Sequence, residues 1–400
     1  MTNEQLLMLD SLVYFSKFSN NFTPKSDGTF YSVGDFVNAA LANPNDYETC
    51  FNGALGYNDG DLGMYDILGL VKDDPALMSL KIVYPQTADD HTTNSVCLIN
   101  SGTNDVYVIF GGNYTQGDYQ YGSTDLNTWV ENAMGATESN TDEQLRSLDF
   151  YEDSIIYIAA RAALNNSEDL NITVSGHSAA GNHSQYVTIA YKDYANNKGT
   201  YNEANDIDRC ISVDGQGFSS DFLLEYQNEI SERANKITSI CPSVSIVGSL
   251  MNSIPGINEV FIDIGFIPDT ALIGYHMPME LLDDEGDFKP IGAPSWLSNT
   301  LKIYSSSVVW IHENHPNLDA DRAMNNIGHF LDCMFNNKTK EGFSYLCDAD
   351  TIALLGLLAF EIGVTIGITV VFPELILGIV LGDIVFSAVN HFIDWLDDVG

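Results

Sequence analysis

The sequence predicts an α/β fold, a doubly wound sheet that carries a C-terminal apolar helical hairpin. Three observations predict it. From residue 95 to residue 213 the chain reads in succession as hairpin, long helix, strand, sharp turn, helix and strand, the alternation that builds a helix-covered sheet. The chain has 400 residues and is 45% hydrophobic, enough for one large core plus an appendage, or for two domains. Beyond residue 350 the composition changes to two nearly uncharged, glycine-bearing apolar runs.

The elements follow in order. Thr2 and Gln5 have capping-box spacing, and Leu6, Leu9 and Val13 recur at helical spacing, so an amphipathic helix opens the chain. Between residues 20 and 94 the stretches NPND, YNDGDLG and DDP are turn signals that separate short elements. Asn58–Asp61 has a faint look of a calcium loop but lacks the later ligands, and is read as a turn. Ser95–Asn100 and Val106–Phe110, joined by SGTND, form a hairpin whose second strand runs into Gly111, Gly112 and Asn113. A strand that ends in glycines lets main-chain amides face an open site. The following loop carries Tyr114, Tyr119, Tyr121 and Trp129, aromatic surface for an apolar ligand. Thr141 and Gln144 repeat the capping-box spacing and open a long helix that reaches Leu164.

Asn171–Tyr186, NITVSGHSAAGNHSQY, is the most informative stretch. Asn171–Ser175 is β-prone, Gly176 breaks the run, and small helix-compatible residues follow from Ala179. Ser178 therefore sits in a tight strand-to-helix turn, where a hydroxyl stands exposed above a sheet. Small neighbours are required because the helix packs closely behind the turn, and Gly176, Ala179, Ala180 and Gly181 supply them. The turn aims the Ala179 amide and a helix dipole at the place where an oxyanion would form. Ser178 is the candidate nucleophile, Ala179 and Asn113 are the candidate oxyanion donors, and the plainer reading is a glycine turn with Ser178 as a helix cap.

A serine nucleophile needs a base and an orienting acid, in the chain order serine, acid, histidine. His276 follows the strand-like run Phe261–Ile267 at the start of a loop and is the first candidate base; His312 and His315 are the alternatives. Cys210–Val213 reads as the strand after the nucleophile helix, and Asp214 stands at its end before Gly215 and Gly217. Asp214 is the candidate acid, with Asp263 and Asp269 as alternatives.

QLLMLDSLVYF near the start, VIFGGN followed by Trp129 and Asn132, SGHSAAGNHSQYV, ISVDGQGF, SVSIVGSLM and YHMP with DDEGDF occur in that order. Together they resemble the bacterial lipase-like α/β-hydrolases related to the fungal-type (class three) lipases, over residues 1–295. The resemblance implies an α/β-hydrolase fold and a serine carboxylester hydrolase acting on lipids or phospholipids, with no cofactor. It places His276, in YHMP, at the family's base. Two departures stand out. Those lipases carry an arginine where Gly111 stands and a hydroxyl residue at Asn113, and their acid usually follows one strand later than Asp214, in a segment that here (ITSICPSVSIVGSLMNS) holds no carboxylate.

Charge narrows the partners. Sixteen Lys and Arg against 55 Asp and Glu give a net charge of −39, which argues against nucleic acid and against simple electrostatic attraction to anionic headgroups. The six cysteines lack C-x-x-C pairing and are expected as buried free thiols. HENH at 312–315 lacks the H-E-x-x-H spacing, so no metal is expected there. Glu4 and Asp10 interrupt the N-terminal stretch where a secretory leader needs basic and then unbroken apolar residues; the expectation is a cytoplasmic protein or one exported without a leader.

Three units are expected: the hydrolase-like domain over 1–299, a cap or connector over 300–348, and the apolar hairpin over 349–400. The hairpin carries Gly363–Gly367 and Gly378–Gly382, spacings that let helices approach closely; the expectations are insertion in a bilayer, or burial against the hydrolase-like domain or a partner protein. A second expectation of a different class follows from it: a non-catalytic hydrolase scaffold that acts through those helices as a membrane-active or partner-binding module.

Overall fold

In the computed structural model of the chain, the residues described are 1–15, 18, 29–47, 49, 62–85, 95–100, 102–111, 135, 139–164, 170–245, 247–265, 276–295, 298 and 299, with scattered positions from 302 to 354. The centre is a seven-stranded sheet in which strand order follows chain order. It comprises β1 (Lys81–Pro85), β2 (Val96–Ile99), β3 (Asp105–Phe110), β4 (Asn171–His177), β5 (Ile207–Val213), β6 (Ile237–Pro242) and β7 (Asn258–Ile262). β1, β2 and β3 pair antiparallel, as the predicted hairpin requires, and every pairing from β3 to β7 is parallel.

Among the described residues the named α-helices are α1 (Asn3–Leu12), α2 (Val33–Ala42), α3 (Met64–Asp73), α4 (Pro75–Ser79), α5 (Asp142–Leu164), α6 (Ala179–Lys198), α7 (Ser220–Glu225) and α8 (Gln227–Arg233). Both predicted capping boxes form. Thr2 Oγ1 accepts the Gln5 amide at 3.2 Å while Gln5 Oε1 accepts the Thr2 amide at 2.9 Å. Thr141 and Gln144 exchange the same pair of bonds at the start of α5.

Parallel strands laid down in sequence need crossovers of one hand, and a constant direction of travel then puts every crossover helix on the same face. The two cores show this. Leu148, Tyr151 and Ile155 of α5, Tyr186, Val187 and Ile189 of α6, Phe222 of α7 and Ile230 of α8 pack with Val106, Val108, Phe110, Ile172 and Val174. Across the sheet, Leu6 and Leu9 of α1, Val37 of α2 and Ile67 and Leu68 of α3 pack with Ile109, Ile211, Val213 and Ile240. The sheet is thus covered on both faces, but its second face is closed by the N-terminal helices and not by reversed crossovers.

This is an α/β-hydrolase fold, and its strand alternation decides what faces what. Residues Ile172 and Val174 of β4 point to the crossover helices. Ser175 and His177 point to α1 and the turn that follows it, where they meet Asp10 and Tyr14 respectively. A bidentate Arg233–Asp206 pair, at 3.0 and 2.6 Å and joined by Lys236 at 2.9 Å, ties the end of α8 to the start of β5.

Several expectations fall on other residues. Asn58–Asp61, Tyr114, Tyr119, Tyr121, Trp129, the HENH stretch and the glycine pairs of the apolar hairpin lie outside the described residues, as does most of 300–400. No helix among the described residues is long and apolar enough to cross a membrane. Cys97, Cys210 and Cys241 are buried free thiols as expected; Cys347 is exposed, against that expectation, and Cys50 and Cys333 lie outside the described residues.

Candidate active site

β4 runs two residues further than its β-prone stretch, through Gly176 to His177. Gly176 does not break the strand: it pairs in register with Phe110 and Ser212. Its lack of a side chain serves the turn instead, since a Cβ there would come within 2.5 Å of the Ala180 carbonyl carbon. The same close packing recurs where α6 meets the end of β5. A Cβ on Gly181 would lie 2.8 Å from Gly215 Cα, and one on Gly215 would lie 2.6 Å from the Gly181 carbonyl carbon.

Ser178 occupies the turn with φ 64° and ψ −133°, outside the regions that a side chain favours. Its amide donates to the Val213 carbonyl at 2.9 Å and its carbonyl accepts from Gly181 at 2.8 Å, so the surrounding main chain holds the strain. Ala179, buried, begins α6 directly after it. Asp214, the residue after β5, also has positive φ, 44°.

The structure brings Ser178, His276 and Asp214 together. His276 Nε2 lies 2.7 Å from Ser178 Oγ, and His276 Nδ1 lies 2.6 Å from Asp214 Oδ2. The imidazole is 11% exposed and the carboxylate 1%. Burial acts to raise the Asp214 pKa, but the charge of His276 and the hydrogen bonds from His276 and Ser245 outweigh it, so the carboxyl stays below the usual carboxylate range.

Asp214 Oδ1 accepts the Ser245 hydroxyl at 2.5 Å and the Gly248 amide at 3.0 Å. Both donors come from the turn after β6, the segment that holds no carboxylate. It supplies the supports of a carboxylate one strand earlier. Cys241 lies close by, where burial first and the Asp214 charge second push its thiol up, so it stays un-ionised.

The alternative residues are elsewhere. Asp263 is exposed and its Oδ1 accepts the Gly265 amide at 3.0 Å. Asp269, His312, His315 and Asn113 lie outside the described residues. No group of three or more metal-ligating side chains occurs among the described residues.

Residues 146–280 match the Mbeg1-like family model. That span takes in Ser178, Asp214 and His276. No curated protein matches the chain in sequence. Among solved structures, the chain is similar to the Rhizomucor miehei lipase propeptide complex (11% identity, 72% of this chain and 81% of that one, TM-score 0.36). It is also similar to a mutant of MDLA from Penicillium cyclopium (12% identity, 75% and 93%, TM-score 0.37). A third is the Lip2 lipase of Yarrowia lipolytica (14% identity, 52% and 82%, TM-score 0.34).

Sequence reasoning missed the surroundings of the three residues. Ser245 and Gly248 lie in SVSIVGSLM, one of the stretches that carry the resemblance, but nothing in it pointed to a carboxylate one strand earlier. His177, beside the serine, was a visible signal, and so was Asp10, an acid set among the apolar residues Leu6, Leu7, Leu9 and Leu12 of α1; their partners lie more than 160 residues away in the chain.

Proposed function

We propose that the chain is a serine hydrolase of carboxylic esters, acting on lipid or phospholipid through an acyl-enzyme. The observation that carries this reading is the unbroken hydrogen-bond line from Ser178 Oγ through the His276 imidazole to Asp214, at 2.7 and 2.6 Å. Ser178 Oγ attacks the ester carbonyl while His276 Nε2 takes its proton. Asp214 accepts the Nδ1 hydrogen, fixes the tautomer and stabilises the imidazolium that forms. The oxyanion is held by the amides of Ala179 and Asn113. Collapse of the tetrahedral intermediate releases the alcohol, which takes the proton from His276. Water, deprotonated by the same imidazole, then discharges the acyl group as a carboxylic acid.

The test is fluorophosphonate labelling of the full chain beside Ser178→Ala and His276→Ala, with release of acid from short esters and phospholipid vesicles. The reading expects labelling and turnover in the wild type and loss of both in the variants. A wild type that neither labels nor hydrolyses, with or without detergent, overturns it. Within this reading residues 349–400 meet a bilayer or a partner protein, and a chain lacking them still hydrolyses soluble esters.

A further inference from the structure

The reaction above leaves a buried polar chain unused on the α1 side of the sheet. His177 Nε2 lies 2.7 Å from the main-chain carbonyl oxygen of His276. A carbonyl has no proton to give, so Nε2 carries the hydrogen and donates. The His177 ring is neutral: burial, and next the neighbouring His276, push its pKa down to about 3. Nδ1 is then a bare acceptor, and the Tyr14 hydroxyl, 2.7 Å away, donates to it. The two imidazoles lie 4.7 Å apart between ring centres, inclined at 32°.

Four residues earlier, on α1, Asp10 Oδ2 accepts the Ser175 hydroxyl at 2.7 Å. Asp10 on the helix and Tyr14 in the turn after it thus meet Ser175 and His177, two residues apart on one face of β4, and these two contacts fix how the end of α1 sits on the strand. The far end of the chain of contacts is the main chain of the residue that carries the base.

We infer that His177 is a positioning residue for the His276 base, and that Tyr14 locks it in the Nε2–H tautomer that holds the His276 carbonyl. The inference rests on the triad reading above and adds that the turn closing α1, through Tyr14, belongs to the machinery of that site. Ser178 and Asp214 grip only the ends of the His276 ring. His177 grips its main chain, so the ring meets Ser178 Oγ in the attacking geometry without a search over loop positions.

The test compares Tyr14→Phe, His177→Phe and His177→Gln with the wild type, using kcat and KM on a soluble p-nitrophenyl ester and the rate of fluorophosphonate labelling. Nitrogen NMR of histidine-labelled protein assigns the ring tautomers. Tyr14→Phe removes one hydroxyl and is the variant least able to disturb folding. It is expected to lower kcat about tenfold, the worth of one buried hydrogen bond, with KM unchanged. His177→Phe should lower it about a hundredfold by the same reasoning, and His177→Gln, whose amide nitrogen can donate to the carbonyl, should restore part of the loss. The NMR spectrum should show a neutral Nε2–H ring for His177 from pH 5 to 8 in the wild type. The inference is overturned if an active wild type and both phenylalanine variants share one kcat, if KM alone moves, or if His177 is an Nδ1–H ring. A wild type that neither labels nor turns over an ester overturns the triad reading and this inference together. In that case the NMR measurement still reports whether the Tyr14–His177 contact holds.

Discussion

The main-chain amide of Gly248 donates to the Asp214 oxygen that faces away from His276, at 3.0 Å, so the carboxylate is held from both sides. Ser245 adds its hydroxyl to the same oxygen. A Cβ on Gly248 would meet Asp214 Oδ1 at 2.6 Å, Cys241 Sγ at 2.7 Å and Ser245 Oγ at 2.9 Å. Ser245→Ala is expected to lower kcat about tenfold, the worth of one hydrogen bond to a charged group. Gly248→Ala should cost more, because it displaces the carboxylate as well as unpairing it. Asp214→Asn sets the scale at about 10⁴-fold, the loss that a wrong tautomer brings in such triads. Steady-state kinetics on a soluble ester, with circular dichroism to establish folding, decides; equal kcat in wild type and Gly248→Ala would refute the support role.

Close packing at the elbow gives a stability prediction. Gly176, Gly181 and Gly215 let α6 lie against the ends of β4 and β5, and the atoms that an added methyl would strike are largely main chain. Main chain cannot rotate away as a side chain can. Gly176→Ala is therefore expected to cost about 4 kcal/mol or more, among the exceptional single substitutions. The readout is soluble yield together with a melting temperature lowered by roughly 10 °C. A variant that melts with the wild type would mean that the turn is looser than its contacts indicate.

The elbow was readable in the sequence because its requirements are local: a strand, a serine, a helix and small residues within eleven positions. Asp214 and His276 were readable more weakly, as a carboxylate at a strand end and a histidine at a loop start. Nothing near them in the chain announced that they meet. The sheet's hairpin and its helices followed from alternation and capping boxes. The one-sided crossovers did not, because strand order is set by pairing between distant segments. Gly176 was misread as a breaker, since glycine ends strands and also permits close approach within them.

His183 on α6 is buried, and burial alone pushes its pKa down to about 4. Its Nε2 stands 3.7 Å from Glu143 Oε2, beyond hydrogen-bond length. The unfolded chain binds a proton below about pH 6.5, whereas the native ring refuses it until about pH 4. Stability therefore falls as pH drops through that window, by about 1.4 kcal/mol per pH unit. His183→Gln has no proton to take up. Its unfolding free energy, from urea titration, should drop less than the wild type's between pH 7 and pH 4.5, by on the order of 2 kcal/mol. Parallel pH curves for the two proteins would show that the ring is hydrated or paired.

Asp10 makes the opposite prediction. Its carboxyl is fully buried between α1 and β4, one oxygen takes the Ser175 hydroxyl, and the other has no hydrogen-bond partner among the described residues. Burial raises its pKa well above the ordinary value, and the Ser175 bond only partly opposes this. The native state therefore keeps a proton that the unfolded chain gives up above about pH 4, and stability is lost as pH rises through the window between the two. Asp10→Asn keeps the Ser175 bond and removes the charge. It should match the wild type near pH 4 and exceed it at pH 8 by on the order of 1 kcal/mol. Urea unfolding at both pH values separates this from a general effect of the net charge of −39, which removal of one carboxylate in either state would barely change. Should the asparagine variant be the less stable one at pH 8, Asp10 is ionised in the native protein, and a cation or water beside its second oxygen must compensate it.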